Sequence, residues 1–309
     1  MRRVAAATAV LSLWFASTGA GQTPSTTYRF EPLPKTPADL SKRFTATQIE
    51  ILEMLNRRDR VHLLRPDPPT PGIVVPLTWS DDPLTYSPFP QTWPAAESYA
   101  TAIVVHQAMQ AFGAYEKGRL VRWGPVSTGR KDTPTPEGAF NLTWRARSRR
   151  STDNEDWLLE WYFNFVNERG VSFHLFDLPG YPASHACVRL LLRDAQWLYG
   201  WGEQWSLDDA RREIMMPGTP VLMLGTYPFG TPPAWLSLDS LATPIALPDL
   251  AAPPGGGDGA ARPSAPARGR SPARRAALSS TAWSPAWRGM AGTPSRPRPR
   301  TRRGCCRRP

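Results

Sequence analysis

Residues 174–189 bring together the side-chain types that nucleophilic thiol chemistry requires. The run contains His174, His185, Cys187 and Arg189, and Cys187 is the only cysteine before residue 305. A thiol reacts as its thiolate, with an imidazole partner, backbone amides to receive an oxyanion and a cation to hold an anionic group. These residue types therefore predict a cysteine nucleophile, Cys187, paired with His174.

The same residues suggest a second kind of site, in which His174, His185 and Cys187 bind zinc. Structural zinc sites have four protein ligands at characteristic spacings. The sequence offers neither a fourth ligand nor such a spacing. We therefore expect no metal and no cofactor here.

The segments around these residues indicate how they would be positioned. Apolar and polar residues alternate between Val171 and Phe176, which predicts a strand with His174 on the face opposite Phe173. Cys187 follows a loop that contains Pro179 and Gly180. A strand and a returning loop can bring an imidazole and a thiol together.

The wider pattern predicts a mainly β domain with one or two helices. The dipeptide Lys117-Gly118 between two apolar runs predicts a hairpin. Helical spacing predicts a helix over residues 191–201 and another over 46–58, where Thr45 and Gln48 fit a capping box. The predicted strands are residues 102–105, 110–116, 120–127, 139–144, 171–176 and 220–224.

Four separated segments resemble a known family, the L,D-transpeptidases of bacterial cell walls. The family signature is a strand histidine followed, after a glycine-containing loop, by Ser/Thr-His-Gly-Cys, a hydrophobic residue and Arg or Asn. The resemblance covers residues 99–225 and implies a β-sandwich. The matching segments are His174 with Ser184-His185-Ala186-Cys187-Val188-Arg189, Val126-Ser127-Thr128-Gly129, Thr135-Pro136-Glu137-Gly138 and Gly218-Thr219-Pro220-Val221.

This resemblance implies a role for each residue of the motif. Cys187 would attack the carbonyl of the third residue of a peptidoglycan stem and expel the terminal D-alanine, with His174 as proton acceptor and donor. The amides of Ala186 and Cys187 would form the oxyanion hole. Arg189 would anchor a stem carboxylate, while His185, together with Ser184, would orient the loop or assist proton movement.

The sequence departs from the family pattern just before the nucleophile, where Ala186 replaces glycine. If the backbone there requires a positive φ, alanine costs about 1 kcal/mol. A second departure is Leu175, where glycine often follows the strand histidine. An L,D-carboxypeptidase and a non-catalytic wall-binding protein of the same fold therefore remain alternatives to the transpeptidase.

The chain divides into five predicted segments. Arg2 and Arg3 precede a short apolar run, which predicts a cleaved export signal rather than a stable membrane span. Prolines predict an extended, helix-free linker over residues 21–43. The segments are a signal peptide at 1–20, a linker and accessory region at 21–98, the catalytic domain at 99–225, an extension at 226–250 and a disordered basic tail at 251–309.

The net charge of +11 does not point to nucleic acid, because it is confined to the tail. Residues 251–309 contain 13 Arg, no Lys and one acid, whereas the preceding 250 residues sum to −1. We expect an exported protein of the periplasm or cell wall whose partners are peptidoglycan stem peptides. Most aromatic residues between 157 and 173 are expected in the core, with Trp157 the candidate for stacking on a sugar.

Overall fold

A computed structural model describes residues 26–66, 70, 72–151 and 154–250. The predicted signal peptide at 1–20 and the predicted tail at 251–309 lie outside these residues. Within the described residues, no helix has the length and apolar character needed to cross a membrane.

The described residues form thirteen strands and five α-helices, with four short 3₁₀ turns between them. The strands are β1 Tyr28–Glu31, β2 Ile73–Pro76, β3 Thr101–His106, β4 Ala111–Glu116, β5 Arg119–Ser127, β6 Gly138–Asn141, β7 Arg145–Arg150, β8 Leu158–Val166, β9 Val171–Leu175, β10 Val188–Leu190, β11 Ser206–Leu207, β12 Ile214–Met216 and β13 Pro220–Leu224. The helices are α1 Pro37–Arg43, α2 Ala46–Leu55, α3 Arg60–Leu64, α4 Leu192–Trp201 and α5 Leu238–Ala242.

Nine strands form one mixed sheet in the order β6-β13-β3-β4-β5-β10-β9-β8-β7. The nine-residue strand β5 joins two halves of this sheet, β6-β13-β3-β4 and β10-β9-β8-β7. Its residues 119–125 pair with β4 and its last two residues pair with β10. The two halves share one core cluster, to which β3 and β4 contribute Ile103 and Phe112 and β9 and β10 contribute Phe173 and Val188. The expectation of a mainly β, sandwich-like fold is confirmed.

The hairpin predicted at Lys117-Gly118 is present between β4 and β5. Both residues have positive φ, 45° and 74°, which suits the tight turn of a twisted hairpin. A Cβ at Gly118 would lie 2.8 Å from the carbonyl oxygen of Trp93, so this position also needs glycine for space. The hairpin returns the chain along β5, whose last two residues pair with β10, the strand that follows Cys187.

The helix predicted over residues 46–58 is α2, and its capping box is formed by Thr45 and Gln48 as expected. The helix ends three residues earlier than predicted. Arg57 has a φ of +56°, which ends the helical conformation, and its Nε donates to Met109 O at 2.9 Å. The end of α2 is therefore fixed by a contact with the sheet.

The expectation of a helix-free linker at 21–43 is wrong for residues 37–43, which form α1. Pro37 lies in the first turn, where a missing N–H costs nothing because that group has no helical partner. Thr36 caps the helix by accepting from Asp39 N at 3.1 Å. Strand β1, from the same stretch, pairs with β2.

The proline-rich segment before β3 and the segment after β13 both pack on the outer face of the sheet. Trp93 and Trp235 share a buried cluster with Trp123 of β5. Trp93 Nε1 donates to Pro248 O at 2.8 Å, so the two segments also bind each other. Aromatic burial of this kind stabilises the outer face of the sheet.

Candidate active site

Strand register places Cys187 and His174 on one face of the sheet. Strand β10 runs parallel to β9 with Val188 opposite Phe173 and Arg189 opposite His174. Cys187, one residue before β10, therefore continues the register opposite Ser172. Because alternate residues of a strand share a face, Ser172 and His174 point to the same side as the thiol.

Polar atoms of β9 and its preceding turn surround the thiol. Cys187 Sγ lies 3.5 Å from Ser172 Oγ and 3.9 Å from Gly170 O. The same carbonyl oxygen accepts from Tyr162 Oη at 3.0 Å, and this contact fixes its orientation. Cys187 itself is half-buried.

The imidazole of His174 is buried and has a defined tautomer. Its Nδ1 lies 2.9 Å from Leu175 O, and a carbonyl oxygen can only accept, so Nδ1 carries the proton. Burial lowers the pKa of His174 to about 4, while the hydrogen bond to Leu175 O opposes the shift. At neutral pH the ring is therefore uncharged, with Nε2 ready to accept a proton.

Ser184 ties the start of the motif to two other segments. Its Oγ donates to Cys187 O at 2.5 Å, and its backbone N donates to Thr128 O at 3.1 Å. Arg130 N donates to Ser184 O at 2.9 Å, which completes a bridge between residues 128–130 and the motif. The Ser-Thr-Gly segment that resembles the family thus lies directly against the motif.

Thr135 belongs to the matching segment Thr135-Pro136-Glu137-Gly138 and fixes the peptide unit that precedes Cys187. Its Oγ1 donates to Ala186 O and accepts from Gly129 N, each at 2.8 Å. In a trans peptide the carbonyl and the next N–H point in opposite directions. The Cys187 N–H therefore points away from Thr135, in an orientation set by the loop.

Ala186 has a φ of +77°, in the region that favours glycine. The motif bends in the way that a glycine at this position would allow, and the alanine methyl is buried among the apolar residues of the sheet. The conformation costs about 1 kcal/mol for an L-residue. The strain expected from the sequence is thus present in the backbone.

His185 lies close to Cys187 and His174, and all three line one cavity. Its ring stacks on Trp157 with centroids 5.1 Å apart and planes 19° apart. Its Nδ1 is buried and has no hydrogen-bond partner among the described residues. Trp157 therefore packs against the motif residue His185, and its stacking on a sugar stays a prediction.

Arg189 braces the loop between His174 and the motif. Its Nη2 donates to Ala183 O at 3.0 Å and its Nη1 to Asp177 O at 3.4 Å. The guanidinium also lies 4.5 Å above the ring of Phe176. Part of its hydrogen-bonding capacity is therefore used within the protein.

Two cavities meet at Cys187. The smaller has a volume of about 30 Å³ and is lined by Cys187, His174, His185, Ser184 and Arg189, among others. The larger has a volume of about 570 Å³ and also reaches Cys187. Three arginines and two acids line it: Arg149, Arg150, Arg169, Asp132 and Glu168.

Sequence reasoning missed three contributors to this site. The alternation over residues 171–176 already placed Ser172 on the strand face of His174. No sequence pattern pointed to Tyr162 of β8 or Arg149 of β7, because neither strand was predicted. The positive φ of Trp161 (55°) interrupts the alternation in β8 and hides its period.

Within the described part of the chain, no group of three or more His, Cys, Asp or Glu side chains is arranged to hold an ion.

Solved structures of several bacterial L,D-transpeptidases resemble this chain. The enzyme from Stackebrandtia nassauensis is 22% identical, with a TM-score of 0.34 over 42% of this chain and 58% of that one. An enzyme from Mycobacterium tuberculosis H37Rv is 22% identical, with a TM-score of 0.33 over 41% and 58%. An enzyme from Mycobacterium smegmatis is 17% identical, with a TM-score of 0.33 over 41% and 59%.

The chain thus spans less than two thirds of the length of these structures. No curated protein matches it. A family model for the L,D-transpeptidase catalytic domain (YkuD) matches residues 100–223. This range lies within residues 99–225, the range inferred from the four motif segments, and the expected resemblance of that region to the L,D-transpeptidase catalytic domain is confirmed.

Proposed function

We propose that this protein is a cysteine-dependent L,D-transpeptidase that joins peptidoglycan stem peptides outside the cytoplasm. The observation that carries the proposal is the placement of Cys187 and His174 around one small cavity, with the imidazole neutral and its Nδ1 committed to a carbonyl. The match of residues 100–223 to the L,D-transpeptidase catalytic domain supports the substrate class.

In the first half-reaction, His174 Nε2 takes the thiol proton as Cys187 Sγ attacks the carbonyl carbon of the third stem residue. The carbonyl becomes a tetrahedral oxyanion, which the amides of Ala186 and Cys187 stabilise. The C–N bond to the terminal D-alanine then breaks, and the imidazolium returns the proton to the leaving amine. The product is a thioester at Cys187.

In the second half-reaction, the amine of a neighbouring stem attacks the thioester. His174 accepts a proton from that amine, and the C–S bond breaks to release the sulfur, which recovers the proton. The new amide is the cross-link. Water in place of the amine gives the L,D-carboxypeptidase outcome by the same steps.

The tautomer of His174 suits both half-reactions. A base at a buried site must be uncharged before it can accept a proton. Burial keeps the imidazole neutral well below pH 7, and Leu175 O holds the ring with Nε2 as the accepting atom. Leu175 therefore contributes through its backbone, which any residue type supplies.

The larger cavity fits the anionic donor stem. The donor carries a free α-carboxylate on its terminal D-alanine, one residue beyond the bond that breaks. Arg149 lines the cavity with its guanidinium 5.1 Å from the ring centroid of Trp144 and 5.4 Å from that of Tyr162. Stacking of this kind orients a guanidinium for paired hydrogen bonds to a carboxylate.

The test is an assay of the full chain with a disaccharide tetrapeptide, followed by separation of the products. Release of D-alanine with formation of dimers supports the transpeptidase, and release without dimers indicates the carboxypeptidase. A Cys187→Ser variant should do neither. Wall binding without D-alanine release would identify a non-catalytic wall-binding protein, and cleavage of L,L peptides alone would indicate an ordinary cysteine protease.

A further inference from the structure

The loop that joins His174 to the motif is held by a turn of the accessory region. Asp59 contacts both sides of Leu178, because its backbone N donates to Leu178 O at 3.0 Å and its Oδ2 accepts from Leu178 N at 2.8 Å. Both backbone polar groups of Leu178 are therefore paired, as they would be in a β-sheet, with the Asp59 carboxylate replacing one backbone partner. They connect residues that lie 119 positions apart in the sequence.

The next two loop residues contact Arg58, which precedes Asp59. Arg58 Nε donates to Pro179 O at 3.1 Å, and both residues form an isolated antiparallel bridge. Gly180 has a φ of +90°, and a Cβ there would lie 2.7 Å from Arg58 Nε. Glycine at 180 is therefore needed both for the backbone conformation and for the approach of the arginine.

The turn that makes these contacts is itself rigidly held. Arg57 is fully buried with its guanidinium 5.2 Å from the ring centroid of Trp123 and its Nε on Met109 O. Asp59 Oδ1 accepts from His62 N at 2.9 Å, which caps α3. The turn is thus anchored to the sheet on one side and to a helix start on the other.

The far end of the loop is anchored by the sheet. Ser127 Oγ donates to Tyr181 O at 2.7 Å and accepts from Ala183 N at 3.1 Å. The loop is therefore fixed at Leu178 and Pro179 by the accessory region and at Tyr181 and Ala183 by β5. Ser184 and the rest of the motif follow immediately.

We propose that Arg58 and Asp59 are positioning residues of the active site, and that the accessory region thereby sets the reactivity of Cys187. The loop has no regular structure of its own between Phe176 and Ala183, so its course depends on these contacts. The effect on turnover rests on the proposed function. The effect on the thiol does not.

The test compares Asp59→Ala with the unchanged full chain in two measurements. We expect kcat for D-alanine release to fall about tenfold with KM within about twofold, because misplaced reacting groups lower the rate more than the binding. We also expect the rate of Cys187 alkylation by iodoacetamide, followed from pH 5 to pH 9, to change at least about threefold, since it reports the surroundings of the thiolate.

The matched control is Thr45→Ala, which removes the cap of α2 in the same accessory region and touches no part of the loop. It should lower the melting temperature while leaving kcat and the alkylation profile unchanged. Asp59→Asn, which retains one acceptor oxygen, should be intermediate and provides a measurable variant if Asp59→Ala fails to fold.

A purely structural role for Asp59 would give a lowered melting temperature with normal kcat and a normal alkylation profile, and this result overturns the proposal. If the unchanged chain fails to release D-alanine, the proposed function fails, but the alkylation profiles still decide whether Asp59 positions the thiol. The two failures are therefore distinguishable.

Discussion

The two cavities that meet at Cys187 differ in size and in lining. The cavity of about 30 Å³ is lined by four rings, those of His174, His185, Trp157 and Phe176, and by only one charged side chain, Arg189. The cavity of about 570 Å³ has charged walls, with arginines at 149, 150 and 169. The small cavity thus holds the imidazole of His174, and the other cavity has room for a larger, charged ligand.

Under the proposed function, this difference assigns the chemical step to the small cavity and substrate binding to the large one. Burial on the small side lowers the pKa of His174 to about 4 and so keeps its base form. On the large side, the guanidinium of Arg149 lines the cavity and can meet a carboxylate. Substitutions on the small side should therefore change kcat, whereas substitutions on the large side should change KM.

Replacing Cys187, which lines both cavities, should have the largest effect. Cys187→Ala removes the nucleophile, so we expect D-alanine release to fall by about 10³-fold or more. The measurement is the initial rate with a disaccharide tetrapeptide. A variant that retains a tenth of the activity would show that the thiol is not the reacting group.

His174→Gln should have the next largest effect, on kcat rather than KM. Loss of a general base costs about 10²-fold to 10⁴-fold. In the unchanged chain, activity should fall on the acid side with an apparent pKa near 4, because protonation of His174 below that pH removes its accepting lone pair.

The pH profile of kcat provides the control for this assignment. The acid limb should disappear in His174→Gln, whose residual activity has no imidazole to titrate. An acid limb near pH 6.5 in the unchanged chain would contradict a base whose pKa is lowered by burial.

Arg149→Ala tests the large cavity. We expect KM for the tetrapeptide to rise about tenfold with little change in kcat, since a charge-assisted pair with a carboxylate contributes about 1.5–3 kcal/mol. The matched control is Arg147→Ala. Arg147 lies two residues away, stacks on Trp161 and pairs with Glu160 at 3.0 Å, outside the residues that line the cavity.

An equal rise in KM for both arginine variants would show that general positive charge, and not Arg149, attracts the donor. Raising the salt concentration separates the two explanations further, because long-range attraction is screened more strongly than a buried contact.

The smallest effect is expected at Ala186. Ala186→Gly relieves about 1 kcal/mol of backbone strain, partly offset by the greater entropy of glycine in the unfolded chain. Loss of the buried methyl offsets the remaining gain, so the melting temperature should change by less than about 2 °C. Ala183→Gly, in the same loop but without a positive φ, should lower it.

The sequence predicted the parts of the fold that depend on local pattern. The turn at Lys117-Gly118 and the capping box at Thr45 follow from residue types within four positions. The face of His174 follows from the alternation around it. The motif strand β10 was not predicted, because its three residues are too few to show an alternation.

The parts that were missed depend on contacts between distant residues. Arg145, Arg147 and Arg149 make β7 look like a solvated stretch, but each guanidinium stacks on an aromatic ring from another part of the sheet or from α4. The contacts of Arg58 and Asp59 with residues 178–180 have no local signature. Pro37 was misread because its position in the first turn of a helix depends on the cap at Thr36.

Acyl transfer at Cys187 is tested most directly by the intact mass of the full chain after brief incubation with a carbapenem, followed by peptide mapping. We expect one added acyl group, located on the peptide that contains Cys187 and absent from Cys187→Ala. No mass increase in the unchanged chain, or an adduct that persists in the variant, would show that Cys187 is not the acylated nucleophile.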